Sequence, residues 1–339
     1  MNKLINLAKT FSMRTKKIFS PSRIQKFGIK QSVYEFLVLC CHRNNSSFEH
    51  KMQEKKDQLI KKYLKKNYEN IISKYYGNNS YQVKLKQASS DTKNGKIFVL
   101  WFQGEQNAPE LVKMCIRSIR QHSNGHDVVV LSEYNLEDWL TNIDPNVLKK
   151  FNNGTFSKQL FSDYIRTSLL SQYGGLWLDA TIYVSHNISE EVFNKNFFTV
   201  VRTEAQPDDI SGVISPFLIG RGLNSQSGCR LFEFTKNMIE SYVKKETILI
   251  NYLLIENILD IGLSKDPILI KEYEAYKTNK KDILGLVKML NQPYEDLCNQ
   301  VDELLQRNTF SKLNWKLNLN KYTKDGRITV YGYLLNSSM

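Results

Sequence analysis

The chain is poor in the residues on which small cross-linked or metal-bound proteins depend. Its 339 residues include only five cysteines and five histidines. The cysteines are scattered and none of them forms a C-x-x-C pair, which argues against a disulfide framework and against that kind of zinc or redox motif. No histidine stands in an H-E-x-x-H motif, and neither a G-x-G-x-x-G nor a P-loop pattern occurs. The cysteine usage fits a reducing compartment.

Long apolar runs are also missing. The two most apolar stretches, residues 33–41 and 248–263, are short or interrupted by charged and amide side chains. We therefore predict no transmembrane helix. The basic start of the chain is not followed by an uninterrupted apolar segment, so we expect no signal peptide. These absences favour a cytoplasmic protein.

Acidic residues are absent from the first 30 positions, where lysines and arginines alternate with bulky apolar residues. Residues 1–95 carry 20 Lys and Arg against 6 Asp and Glu, whereas the remainder carries 27 against 28, so the net charge of +13 is entirely N-terminal. Such a segment suits peripheral contact of residues 1–80 with an anionic membrane, or with nucleic acid. A solvated pair of basic helices packed on the rest of the protein is the other interpretation. We expect no nucleic acid partner, because the remainder is charge-balanced and the arm has no recognition motif.

Apolar spacing predicts a helical N-terminal extension, residues 1–94, followed by a larger domain, residues 95–339. The extension contains a helical pattern over residues 51–76 and then a linker. In the domain, strands and helices alternate with short connections up to about residue 184. We predict strands at 97–102, 127–131, within 174–183 and at 328–335, and helices at 109–122, 136–141, 145–151, 157–173, 229–243 and 248–263.

This alternation indicates an α/β fold with a mostly parallel sheet flanked by helices. Ligands of such sheets bind beyond the carboxyl ends of the strands. Residues 101–104 and residues 179–181 follow two of the predicted strands. We therefore expect them to meet at one edge of the sheet.

One carboxylate stands inside the apolar stretch GGLWLDATIY, residues 174–183. A buried carboxylate without a partner costs several kcal/mol, so Asp179 is expected to meet a metal, a cation or a ligand hydroxyl. A solvated Asp at the mouth of the strand is the other interpretation. On the preceding helix, Asp163 and Arg166 are three residues apart and share one face. Taken alone, that pair is also typical of a helix surface.

Three segments resemble the bacterial capsular polysaccharide synthesis proteins, and along the chain they follow one another in the order of that family. These proteins are DXD-type sugar transferases similar to glycosyltransferase family 32. Residues 161–179, FSDYIRTSLLSQYGGLWLD, resemble the signature S-D-x-x-R-x-x-x-L-x-x-x-G-G-x-[YW]-x-D-x-D. Residues 100–118, LWFQGEQNAPELVKMCIRS, are similar to the W-x-Q-G-x-x-x-A-P start of that family. Residues 310–316, FSKLNWK, are similar to its K-L-x-x-K segment. The resemblance covers roughly residues 95–335.

The resemblance implies a GT-A type glycosyltransferase domain that binds a nucleotide-diphosphate sugar, with a UDP-sugar favoured. Trp101, with Gln103 beside it, would contact the nucleotide, although a core tryptophan is the other interpretation. Asp163 and Arg166 match positions that hold the hydroxyl groups of the donor sugar. Asp179 matches the first Asp of the DXD pair, next to ribose, sugar or metal. Asp179, Asp163 and Arg166 are therefore the catalytic candidates.

The chain departs from the DXD pattern at Thr181, where the second Asp would stand. A neutral hydroxyl is a much weaker ligand than a carboxylate for Mg²⁺ or Mn²⁺, so a divalent metal at Asp179 is uncertain on chemical grounds. The leaving diphosphate must still be neutralised. By family position Lys312 and Lys316 are the candidate cations, and Thr181 remains a donor-binding candidate. Arg221 is a weaker candidate, for which a plain surface turn is the other interpretation.

The resemblance implies transfer of a sugar, with retention of configuration, to a saccharide or lipid-linked saccharide acceptor in capsule or surface polysaccharide synthesis. A retaining transfer of this kind needs no protein base, because the donor phosphate assists the incoming hydroxyl. Asp208 and Asp209 are loop acids that could meet the acceptor. A sugar-nucleotide-binding protein without catalysis is the second hypothesis, suggested by Thr181, and a nucleic-acid-binding protein is the third. We expect the enzyme in the cytoplasm, at the inner face of the membrane if the basic helices bind there.

Overall fold

The structure, a computed structural model, describes residues 2–41, 47–78, 81–85, 95–203 and 214–337, with side chains from residue 9 onward. Asp208 and Asp209, the two acids suggested for the acceptor, lie outside the described residues. Among the described residues, no helix combines the length and apolar composition that crossing a bilayer requires.

The N-terminal region is helical throughout its described part. Its helices are α1 (Asn2–Ile18), α2 (Pro21–Phe27), α3 (Ile29–Cys41), α4 (Ser47–Asn67) and α5 (Glu69–Tyr76). The pattern over residues 51–76 is thus divided between two helices that meet at Tyr68. The ring of Tyr68 is buried and stacks on Tyr242 at 5.9 Å between ring centroids. This packing holds Tyr68 at the break between α4 and α5.

The main sheet has five strands, and its central strand carries the GGLWLDATIY segment. The strand order is β2-β1-β3-β6-β5. The strands are β1 (Ile97–Leu100), β2 (Val128–Leu131), β3 (Gly175–Leu178), β5 (Phe198–Thr199) and β6 (Leu218–Arg221). A second sheet of two strands pairs β4 (Ile182–Val184) with β7 (Phe310–Lys312).

The expectation of a mostly parallel sheet is wrong for half of the strand pairs. Strand β1 is parallel to β2 and β3, whereas β6 is antiparallel to both β3 and β5. The strand–helix alternation that predicted parallel pairing ends near residue 184, so it carries no information on the two later strands. The α/β class is confirmed, and the sheet is mixed.

Helices cover the sheet, and all six predicted helices are present, five of them with bounds within three residues of the prediction and the sixth, at 248–263, starting six residues later than predicted. They are α6 (Glu110–Gln121), α7 (Leu136–Trp139), α8 (Pro145–Asn152), α9 (Lys158–Tyr173), α10 (Glu190–Asn194), α11 (Gln226–Lys245), α12 (Leu254–Leu263), α13 (Pro267–Thr278), α14 (Gly285–Met289), α15 (Tyr294–Arg307) and α16 (Val330–Ser337). The predicted strand over 328–335 is wrong, because this segment forms α16. Short apolar runs fit either period, and here the buried residues recur at helical spacing.

The two faces of the sheet contribute to two hydrophobic clusters. In β1, Phe98 and Leu100 face one cluster, and Ile97 and Val99 face the other. Side chains alternate in the same way along β3, where Trp177 lies on the face covered by α9 and α11. Because Asp179 follows Trp177 by two positions, its side chain leaves the chain toward the same helices.

Gly175 allows the turn from α9 into β3. Its φ is +86°, and a Cβ atom at this position would stand 2.2 Å from the carbonyl oxygen of Lys96. Any side chain would therefore push β3 away from β1. The glycine pair ends the helix, as the sequence predicts, and also sets the close approach of the two strands.

Glu246 joins the N-terminal helices to the α/β part. Its carboxylate is fully buried, forms an ion pair with Lys26 of α2 and accepts hydrogen bonds from the hydroxyls of Tyr63 at 2.7 Å and Tyr68 at 3.1 Å. Burial would raise the pKa of this carboxyl, but Lys26 and the tyrosine hydroxyls outweigh it and lower the pKa. The charge is thus compensated inside the interface between the two regions.

Candidate active site

The candidate active site lies at the edge where the carboxyl ends of β1 and β3 meet the amino end of β6. Trp101 follows β1, Asp179 follows β3, and Phe217 precedes β6. The backbone N–H of Asp179 donates to the carbonyl of Phe217 at 2.9 Å, which joins the end of β3 to the start of β6. The antiparallel direction of β6 therefore brings the start of that strand, and not its end, to the site.

Asp179 is held by three donors on three different elements. Its Oδ1 accepts from the indole Nε1 of Trp177 at 2.9 Å and from Nη2 of Arg166 at 3.2 Å. Its Oδ2 accepts from Nζ of Lys312 at 2.8 Å. Burial alone would raise the pKa of Asp179, but Lys312 and Arg166 outweigh burial and lower it, so the carboxyl is ionised. Asp179 does stand at the mouth of the strand, where its side chain is 28% exposed, but both of its oxygens already accept from cations and one also accepts from an indole.

Arg166 is buried between the helix that carries it and the sheet. Its Nη1 donates to the carbonyl of Pro216 at 2.5 Å, and its guanidinium carbon lies 5.0 Å from the ring centroid of Trp177. Its Nη2 also stands 3.5 Å from Oδ1 of Asp163. One guanidinium thus connects α9, the end of β3 and the start of β6, which a lysine could not do with a single point of charge.

Asp163 is the least compensated acid of the site. It is 2% exposed, and its Oδ2 makes no hydrogen bond to any described residue. Burial raises the pKa of Asp163 to about 7; Arg166 lowers it in part and the charge of Asp179 adds to the rise. An acceptor atom without a partner, beside a forked donor, matches the expectation that this pair holds a ligand hydroxyl.

We predict that Asp163 makes the stability of the protein depend on pH between about 4 and 7. The folded protein keeps a proton on Asp163 in this range, whereas the unfolded chain loses it near pH 4. The stabilisation from this group is therefore complete below about pH 4 and is lost as pH rises through about 7, on the order of 4 kcal/mol in all. Asp163→Asn cannot titrate and should remove this dependence, as measured by urea unfolding from pH 5 to pH 8.

The control for this measurement is Asp138→Asn, which makes the same change at an exposed position of α7. Its unfolding free energy should follow that of the parent protein at every pH. A parallel pH dependence of the parent and Asp163→Asn would contradict the prediction.

Lys312 reaches the site through the small second sheet. In the β4–β7 ladder Lys312 lies opposite Ile182, three positions after Asp179, and the N–H of Leu313 donates to the carbonyl of Thr181 at 2.8 Å. The ammonium group lies 4.7 Å from the ring centroid of Phe217 as well as 2.8 Å from Asp179. The structure therefore places one of the two predicted cations at the centre of the site.

Trp101 lies beside a second tryptophan. It is half-buried, its Nε1 has no described hydrogen-bond partner, and its ring meets that of Trp315 edge to face at 5.5 Å between centroids. Lys316 is exposed, with Nζ 5.8 Å from the ring centroid of Trp315. Lys316 thus lies near the tryptophan pair, whereas Lys312 contacts the carboxylate. Gln103 is exposed on the turn after β1, where its carbonyl accepts from Asn107.

Arg221 and Thr181 are both buried. The guanidinium of Arg221 donates to the carbonyls of Leu170 at 2.7 Å, Ser171 at 3.0 Å and Gly222 at 2.8 Å. It completes the carboxyl end of α9, so both sequence interpretations, a diphosphate cation and a surface turn, are wrong. Thr181 is 7% exposed and lies in the turn between β3 and β4.

The donor set around Asp179 does not fit a divalent metal. Within the described ranges, no three His, Cys, Asp or Glu side chains come together in a way that could hold a metal ion. Both oxygens of Asp179 already accept from cations, and the neighbouring Asp163 is buried with a raised pKa, which disfavours the charged form that a metal requires. A dication placed there would stand within a few ångströms of Lys312 and Arg166, a repulsion of several kcal/mol.

Three contributors to the site escaped the sequence interpretation. Trp177 donates to Asp179, Pro216 accepts from Arg166, and Trp315 covers Trp101. The first was detectable, because Trp177 and Asp179 alternate on one strand and must share a face. The other two depend on chain segments more than 30 residues away, for which no local pattern exists.

The comparisons with known proteins agree with the resemblance seen in the motifs. A family model described as capsular polysaccharide synthesis protein matches residues 42–334. This range contains every candidate site residue and also α4 and α5 of the N-terminal region. None of the curated proteins matches the chain significantly.

Proposed function

The chain belongs to the capsular polysaccharide synthesis protein family, and from this premise we propose that it is a glycosyltransferase that uses a nucleotide-diphosphate sugar as donor. The observation that supports the proposal most strongly is the cluster at the end of β3. There Asp179 binds Arg166 and Lys312, and Asp163, whose Oδ1 stands 3.5 Å from the same guanidinium, has a second oxygen, Oδ2, without a partner among the described residues. Paired cations next to an unsatisfied buried acceptor suit a ligand that carries both phosphates and hydroxyl groups.

In this proposal, a different side chain of the site contacts each part of the donor: the base, the sugar hydroxyls and the diphosphate. Trp101, which is half-buried, offers an aromatic face to the nucleotide base. Asp163 accepts from a sugar hydroxyl, and Arg166 donates to one. Lys312 is one-fifth exposed and exchanges part of its contact with Asp179 for the diphosphate. Lys316 adds a second cation from the same segment.

The reaction breaks the bond between the anomeric carbon of the donor sugar and the phosphate oxygen. The electron pair of that bond stays on the diphosphate, and the oxygen of an acceptor hydroxyl forms the new bond to the anomeric carbon. The hydroxyl proton passes to the departing phosphate, so no protein base is required. Lys312 and Arg166 stabilise the negative charge that develops, because they stand in a partly desolvated site where such contacts are strong. Retention of configuration follows from attack on the face that the phosphate leaves.

We place the acceptor among the saccharides of capsule or surface polysaccharide synthesis. Family membership supports this class of product, and a growing or lipid-linked glycan presents the hydroxyl groups that the reaction needs. A cytoplasmic location agrees with the supply of nucleotide sugars. The experiment below identifies the donor sugar.

The proposal is tested by screening nucleotide-diphosphate sugars for thermal stabilisation of the whole chain and for slow hydrolysis. We expect one donor to raise the melting temperature, because a ligand present at about 100 times its Kd adds roughly 2.7 kcal/mol of stability. We expect the same donor to be hydrolysed with chelator present. If no donor stabilises the protein, the proposal fails. Stabilisation without turnover on any acceptor would select the second hypothesis, a sugar-nucleotide binder without catalysis, which the threonine at position 181 suggests.

A further inference from the structure

The first three helices expose apolar side chains at an unusually high density. Phe11 is 42% exposed, Met13 64%, Ile29 50% and Val33 40%. These four residues lie within 23 consecutive positions of a chain whose apolar residues are otherwise mostly buried. Exposed apolar side chains that are close together mark a surface that meets something other than water.

Several of these side chains form one continuous strip. Ile29, Val33 and Phe36 are spaced by four and three positions on α3 and therefore share one side of that helix. The ring of Phe36 contacts Phe11 of α1 at 6.3 Å between centroids and Phe19 at 5.5 Å. The apolar strip, defined by Phe11, Ile29, Val33 and Phe36, thus runs from one helix to the next.

Exposed basic side chains accompany the apolar strip, and neither α1 nor α2 contains an acid. The basic border consists of Lys9, Arg14, Lys16 and Lys17 on α1 and Lys30 on α3, all of which are exposed. Arg14 follows Phe11 by three positions and therefore shares its side of α1. The single acid of α3, Glu35, is compensated by its ion pair with Arg23 at 2.5 Å. An apolar strip accompanied by cations is complementary to an anionic bilayer, in which acyl chains lie below phosphate groups.

A cleft beside the strip suits a phosphate headgroup. It has a volume of about 260 Å³, and its polar lining consists of Arg14, Lys17, Tyr252 and the ion pair of Arg23 with Glu35. Two cations therefore come from α1, and the aromatic ring comes from the α/β part, where it is 53% exposed. Tyrosine with an apolar body and a polar tip is favoured at the boundary between headgroups and acyl chains.

The strip is fixed to the α/β part and does not hang on a flexible arm. The buried guanidinium of Arg23 donates to the carbonyls of Leu249 and Ile250, both at 2.6 Å. The hydroxyl of Ser32 donates to the carbonyl of Ile18 at 2.7 Å, which joins α3 to α1. A partner that binds the strip would therefore also orient the sheet edge that carries Asp179.

We propose that the apolar strip and its basic border form a peripheral docking surface for an anionic phospholipid bilayer. A second copy of the chain is disfavoured as the occupant, because both copies would bring the same positive charges together. Nucleic acid is disfavoured because it offers phosphates but no apolar layer for the strip. The inference does not depend on the proposed sugar transfer, since it uses none of the site residues.

The test is co-sedimentation of the full chain with phosphatidylcholine vesicles, with and without phosphatidylglycerol. We expect binding only when phosphatidylglycerol is present, and loss of binding at about 1 M salt, where the screening length falls to about 3 Å. Ile29→Ser with Val33→Ser should weaken binding about tenfold, and so should Lys16→Glu with Lys17→Glu. None of these variants should alter the thermal stabilisation by a sugar donor.

Matched controls exist for both pairs. Ile268 and Ile270 on α13 are 52% and 41% exposed, and Lys65 and Lys66 are exposed in the last turn of α4. Serine at the isoleucines and glutamate at the lysines should each leave vesicle binding within about twofold of the parent protein. Equal losses in test and control pairs would overturn the proposal, as would equal binding to neutral vesicles. A change of oligomeric state in light scattering, or retained binding to DNA without binding to vesicles, would overturn it too.

Discussion

Asp179→Asn is expected to reduce sugar transfer, or hydrolysis of the donor, by roughly 10²- to 10³-fold. The amide keeps the shape of the carboxylate but removes the negative charge that Lys312 and Arg166 share. Both cations would then repel each other without compensation, and the indole of Trp177 would compete with Arg166 for a single amide oxygen. The measurement is the initial rate of transfer or hydrolysis, with the donor that the thermal-shift screen identifies.

Asp127→Asn is the matched control for this variant. Asp127 forms a pair with Lys96 at 2.8 Å, the same N–O distance as the Asp179–Lys312 pair, but at the opposite end of the sheet. It is largely exposed, so its loss should change neither the rate nor the melting temperature by much. A similar rate for Asp179→Asn and Asp127→Asn would remove Asp179 from the reaction and with it the proposed site.

Lys312→Gln is expected to lower kcat/KM by about 100-fold, with most of the loss in kcat. The ammonium group of this lysine stands 2.8 Å from Asp179, so in the proposed reaction its removal takes away one of the two cations that stabilise the leaving diphosphate. Lys312→Arg should keep at least about a tenth of the activity, because the charge remains although its position changes. Turnover of the parent protein should be unaffected by a chelator.

Lys316→Gln provides the comparison within the same segment. Lys316 is exposed beside Trp315 and does not contact Asp179, so its loss should cost less than about tenfold. The decisive contrary result is rescue of Lys312→Gln by Mn²⁺ together with loss of parent activity in chelator. That pair of results would show that a metal, and not the lysine, neutralises the leaving diphosphate.

The sequence predicted the centre of the site better than its periphery. Asp163, Arg166 and Asp179 lie within 17 consecutive residues, on a helix and a strand joined by two glycines, so their meeting follows from local geometry. Lys312 was named by its place in a motif, but its contact with Asp179 depends on the register of β4 and β7, which no local pattern encodes. Of the other candidates, Lys316 and Gln103 are exposed and lie outside the cluster around Asp179.

The fold was predictable to the same degree and for the same reason. Alternating strands and helices identified the parallel half of the sheet, where each pairing follows from a short connection. The antiparallel half depends on β5 and β6, which are short and buried and follow no such alternation. Arg221 shows the limit most clearly, because its buried guanidinium completes a helix 50 positions earlier in the chain.

The distance along the chain between Asp179 and Lys312 has a consequence for protein synthesis. The two residues are separated by 133 positions, and β7 is the last strand of the described chain to emerge from the ribosome. At about 5 to 20 residues per second, the five strands of the main sheet exist for several seconds before Lys312 is made. During that interval, of the three donors to Asp179, only Arg166 and Trp177 have been synthesised. The cluster around Asp179 is therefore complete only after Lys312 has been translated.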